Sequence, residues 1–168
     1  FLYEEKKEEN LLNKIDENII KKKDANIIQD LNYSSTDENG NIYKIFSKTG
    51  IIDKENINIL YLKKVKAIIK IKNSGVVNLY SDFAKYNKSN LNTHFYENVE
   101  LKFKNHNLTS GNVYLNYIKK KIKISDNINY YDKDNKMTAD VIEYDLLTKM
   151  SKIYMLDQNN KIKGLVKN

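Results

Sequence analysis

At 168 residues, with 40% hydrophobic and 11% aromatic side chains, the chain can bury one core and needs no second. It has no cysteine, which excludes thiol catalysis, disulfides and cysteine-ligated metals, and no run approaches the roughly 18 apolar residues that span a bilayer. The net charge is +7 and all 29 basic residues are lysine, so the bidentate arginine that usually reads guanine is missing.

Residues 1–26 carry six lysines and seven acids around Leu11, Leu12, Ile15, Ile19 and Ile20 at helical spacing. This reads as a partly helical, amphipathic stalk with too few apolar positions to be stable alone. The surplus of lysine therefore belongs to residues 27–168, which we read as a single domain.

From Ile27 onward the pattern is strand after strand, rich in Ile, Val, Tyr and Phe and broken by polar turn clusters. Breaks fall at Glu38-Asn39-Gly40-Asn41, Asn73-Ser74-Gly75, Asn87 to Asn90, Asn105-His106-Asn107, Tyr131 to Lys136 and Asp157 to Asn160. Asn39-Gly40 predicts a hairpin with a type I′ turn, which needs positive φ at both central residues. Alternation of apolar and lysine positions through 65–72 and 119–125 gives each strand one apolar face. The expectation is an all-β fold of about a dozen antiparallel strands around one interior.

Four segments repeat in register when Ser47, Ser81, Ser110 and Ala139 are aligned, at intervals of 34, 29 and 29 residues. Two residues earlier stand Ile45, Leu79, Leu108 and Met137; five later, Ile52, Tyr86, Leu115 and Tyr144; then the turn-forming Asp53, Asn87, Asn116 and Asp145. Fourteen after the anchor come Tyr61, Phe95, Ile124 and Ile153, and eighteen after it Val65, Val99 and Ile128, with Asp157 departing. Such a repeat is one supersecondary unit copied in tandem, burying its apolar face against its neighbours. Inward positions at the anchor and then three and five residues on break the period of two, so a bulge or bend is expected just after each anchor.

Chemistry-bearing clusters are scarce. His94 and His106 are far apart in sequence, His94 is placed on an outer face, and no nucleophile, metal or phosphate-binding pattern joins them to other residues. No catalytic residue, metal or cofactor is assigned. Tyr61, Tyr86 and Tyr144 share columns with Ile, Phe and Leu, which makes them core aromatics rather than nucleic-acid stacking platforms.

The segments Leu79 to Asn87 and Phe95 to Glu100, with the copies Thr138 to Asp145 and Ser125 to Ile128, resemble the OstA-like lipopolysaccharide-transport family. Residues 31–33 and 39–50 resemble the opening of its LptC branch. The resemblance implies a twisted, partly open antiparallel β-jellyroll over 27–168, on the periplasmic side of the inner membrane of a Gram-negative bacterium. It implies an anchor helix preceding Phe1, with residues 1–26 as the stalk. It also implies that lipopolysaccharide acyl chains lie along an apolar groove, received from an inner-membrane ABC transporter at the first strands, 27–35, and passed to LptA at the last, 149–166. Ile45, Leu79, Tyr86, Phe95, Leu108, Leu115, Ile124, Met137 and Tyr144 are the expected lipid-lining residues. Two alternatives stay open: a soluble bridge of the LptA type, and a structural β-repeat that binds no lipid.

Overall fold

The structure, a computed structural model, describes residues 27–156 and 163–166; the stalk expected over 1–26 and the departing Asp157 lie outside the described residues. The described residues form ten strands and no helix. They are β1 (Ile27–Thr36), β2 (Ile42–Ile52), β3 (Ile59–Ile71), β4 (Gly75–Asn87), β5 (Thr93–Phe103), β6 (His106–Asn116), β7 (Lys121–Tyr131), β8 (Asn135–Asp145), β9 (Ser151–Tyr154) and β10 (Lys163–Val166). Among the described residues these ten stand for the expected fold of about a dozen antiparallel strands, and β1 to β8 run 10 to 13 residues each.

All strands belong to one antiparallel sheet in the order β1-β2-β3-β4-β5-β6-β7-β8-β10, with β9 also on β8. β9 pairs with 141–144 and β10 with 135–138, so the last edge is a strand in two pieces. Among the described residues no ladder joins β1 to β9 or β10, so there the sheet is rolled without being sealed.

A crease runs across the sheet at the level of the anchors. Buried positions three residues apart, Ser47 and Gly50, Leu62 and Val65, Ser81 and Ala84, Ser110 and Val113, confirm the break in period. The device lies in the odd-numbered strands. Asp30 and Lys64 take left-handed φ of 48° and 54°, and β5 and β7 each insert a left-handed pair, Glu97-Asn98 and Asp126-Asn127. At those pairs the ladders slip by one residue, so the extra residue stands opposite the anchors rather than beside them in the same strand.

The crease gives every strand two halves, and the halves form two walls. One wall ends in the loops 53–58, 88–92, 117–120 and 146–150, which follow the repeat's Asp/Asn column; the other ends in the turns 37–41, 72–74, 104–105 and 132–134. The Asp/Asn side chains start their turns as expected: Asp53 Oδ1 accepts from Glu55 N and Asn56 N, and Asp145 Oδ1 from Leu147 N and Thr148 N. Four residues after that column, Leu91, Lys120 and Lys149 adopt left-handed φ of 58°, 52° and 60°.

The 37–41 hairpin forms, but not through a type I′ turn. Positive φ occurs at Gly40 (78°) and not at Asn39, and Gly40 N bonds Asp37 O at 2.9 Å. The Asp37 carboxylate accepts from Asn39 N and Asn41 N, which favours an ordinary turn followed by a left-handed glycine.

Candidate functional site

The nine repeat-column residues meet in one apolar cluster. Ile45, Leu79, Tyr86, Phe95, Leu115 and Ile124 are buried, Leu79 and Phe95 to 1% exposure; Leu108, Met137 and Tyr144 are half-buried against the same cluster. Val65, Val99 and Ile128 fill the crease below them. Strand alternation points each of these side chains inward, and the crease preserves that direction along both halves of a long strand.

The two walls touch across this interior. The Tyr33 and Tyr86 rings lie 5.3 Å apart between centroids, and Tyr43 meets Tyr117 edge-on at 5.1 Å. Burial, with Tyr33 alongside, pushes the Tyr86 phenol well above its ordinary range. Between the walls remains a cavity of only about 20 Å³, lined by Tyr33, Tyr43, Ile45, Tyr86, Phe95 and Leu115 among others. That is room for about one water, against roughly 300 to 1,000 Å³ for an occupied small-molecule site. Around this cavity the walls' own side chains fill the interior.

At the side of the interior opposite the crease, the turn 37–41 meets the turn 117–120. Asp37 is buried and accepts four hydrogen bonds from its own hairpin: Asn39 N (3.0 Å), Asn41 N (2.9 Å), Asn41 Nδ2 (3.0 Å) and Tyr43 Oη (3.0 Å). Lys120 Nζ approaches Asp37 Oδ2 to 3.4 Å and stands 3.7 Å from the centroid of the Tyr117 ring. Burial alone would raise the Asp37 carboxyl; the bonds from Asn41 and Tyr43, with the Lys120 charge, outweigh it and hold the group below the ordinary range. Burial and the same carboxylate push the Tyr43 phenol up.

The outer face mixes lysines with aromatic rings, Tyr80 and Tyr114 among those exposed there. Lys66 and Lys102 flank the Tyr80 ring, and Lys64 pairs with Asp82 at 2.6 Å along the crease. His94 does face outward, its Nε2 at 2.7 Å from Asn112 Oδ1. Among the described residues no three side chains of His, Asp or Glu gather as metal ligands.

A family model described as lipopolysaccharide-assembly, LptC-related, matches residues 1–155. The chain belongs to the LptC-related family. The LptC-related chain also shares its fold with LptH from Pseudomonas aeruginosa, described as the LptA homologous periplasmic component of the conserved lipopolysaccharide transport device. The TM-score is 0.54 at 8% identity, covering 75% of this chain and 95% of that one, which establishes the β-jellyroll. No curated protein matches the chain. Membership places the LptC-related chain in lipopolysaccharide transport, facing the periplasm of a Gram-negative envelope, as a transport component and not an enzyme. Among its described residues no helix is long and apolar enough to cross a membrane.

Sequence reasoning on this LptC-related chain missed the residues that join the walls. Asp37 and Lys120 lie 83 positions apart and in no shared column, and Tyr33 and Tyr43 precede the first anchor. Asp37 itself carried a local signal, an Asx position two residues before Asn39-Gly40.

Proposed function

We propose that the interior between the two walls is the path of lipopolysaccharide acyl chains, lined by Ile45, Leu79, Tyr86, Phe95, Leu108, Leu115, Ile124, Met137 and Tyr144. The observation that carries this reading is that all nine meet in one continuous apolar cluster, in a sheet whose two edges carry no further strand among the described residues. Each CH₂ taken up contributes roughly 0.8 kcal/mol before the costs of ordering and of leaving the membrane. No buried charge lies among these nine residues, which suits sliding rather than trapping. Lipid arrives from the inner-membrane ABC transporter along β1 and leaves to LptA along β9 and β10, because unpaired edges accept further strands.

One observation favours a second reading. A cavity of about 20 Å³ is what a structural β-repeat that binds no lipid would show. The lipid reading therefore requires the walls to part. Leu101 stands opposite Leu108 in the β5–β6 ladder. A photoreactive residue at Leu101 is expected to crosslink lipopolysaccharide, and Leu108→Asp to reduce that crosslinking strongly. Unchanged crosslinking in a folded Leu108→Asp protein counts against a groove there, and none in the parent chain favours the structural repeat.

A further inference from the structure

We propose that Asp37 and Lys120 form a latch across the mouth of this groove, which holds the walls together and must release before acyl chains enter. The proposal rests on the groove reading above. Its ground is position first. Turn 37–41 caps β1 and β2 while turn 117–120 joins β6 to β7, and no backbone ladder connects the two pairs of strands. Among the described residues side chains join them: the Asp37–Lys120 ion pair at 3.4 Å, the Tyr43–Tyr117 contact at 5.1 Å, and Lys120 Nζ over the Tyr117 ring at 3.7 Å and the Tyr43 ring at 5.9 Å.

The second ground is that each half is complete without the other. A buried ion pair normally cannot open cheaply, since removing one partner strands an uncompensated charge. Here the Asp37 carboxylate keeps four hydrogen bonds from its own hairpin when Lys120 leaves. Lys120, with its side chain 16% exposed, keeps the face of Tyr117 from its own turn and has water within reach. An interaction built this way has two acceptable states.

The third ground is what the latch covers. Tyr43 and Tyr117, the rings packed around Lys120, both line the cavity of about 20 Å³ between the walls. Enlarging that space separates the two rings, and with them the two turns. Turn 117–120 is tied to the loops of its own wall, by Tyr117 N to Asn92 Oδ1 at 2.9 Å and Leu146 N to Lys120 O at 2.8 Å, and Ile118 beside Lys120 is 69% exposed.

The chain contains no cysteine, so Asp37→Cys with Lys120→Cys introduces two thiols and no others. The 168-residue chain carrying both, with a photoreactive residue at Leu101, is bridged by a short bis-methanethiosulfonate that a reductant cleaves. Incubated with purified lipopolysaccharide, the bridged form is expected to crosslink lipid at background level and the cleaved form to recover. Lys120→Gln, which leaves the Asp37 hydrogen bonds in place, is expected to label severalfold faster than the parent chain. Equal labelling of bridged and cleaved forms, or of Lys120→Gln and parent, overturns the latch. Absence of labelling in every form, with the sheet intact by circular dichroism, overturns the groove reading and the latch with it.

Discussion

Gly111 is the tightest point of the crease. A Cβ there would stand 2.5 Å from Asp126 Oδ2 and 2.9 Å from Asp126 Cβ, the left-handed bulge residue packed over it. Because the contact includes an atom rooted in the backbone, Gly111→Ala is expected to cost about 1 to 3 kcal/mol, as other overpacked sites do. Urea unfolding measures it, and an unchanged midpoint would mean that the bulge moves aside freely. The anchors follow the same logic of space. Ser81 Oγ donates to Phe83 O at 2.8 Å and Ser110 Oγ to Asn112 O at 3.3 Å, each hydroxyl bridging the residues where the period breaks. The sequence marked these positions as small and recurrent, but a hydroxyl's partner depends on the bend, which composition does not encode. The pairing of Asp37 with Lys120 is invisible for a related reason: it arises from two walls meeting, and nothing local records it.

Among the elements, the hairpin turns were the most legible and the bulges the least. The Asp/Asn column located the loops of one wall because an Asx side chain caps its own backbone two and three residues on. The same turns use a left-handed residue that is not glycine. Lys149, exposed at φ 60° with its N–H bonded to Asp145 O, bears the Cβ penalty of that conformation. Lys149→Gly is expected to stabilise by about 0.5 to 1 kcal/mol, the strain removed exceeding the entropy added to the unfolded chain. A lower thermal midpoint would show that the lysine side chain contributes something the turn needs. In β5 and β7 the paired left-handed residues are Glu97-Asn98 and Asp126-Asn127, no glycine among them, so the extra residue could be inferred only from the shifted columns and was assigned to the wrong strand of each pair.

For the whole molecule, carboxylates tie turns and crease together at separated places. Asp37 is held below the ordinary range as described; Asp82 is held there by Lys64 and Asn98; Asp145 by the N–H groups of its turn. Asp132 lies at about 2, through the Asp134 N–H and the Tyr130 hydroxyl. A carboxyl whose native pKa is depressed stabilises the fold fully above its unfolded value, near 4, and loses that contribution as pH falls through the native value. The sheet is therefore expected to weaken progressively from about pH 4 toward pH 2, and circular dichroism with urea midpoints at each pH measures it. Midpoints that do not move over that range would contradict it. By itself the sequence determined the class of fold, the repeat, the inward face of each strand and the family, because those follow from periodicity and local turn chemistry. Only the tertiary structure decided that the strands bend into two walls, that their interior is filled, and that Asp37 meets Lys120 across it. Contacts between distant turns depend on how far the sheet rolls, and that is set by all the bulges acting together rather than by any one stretch of chain.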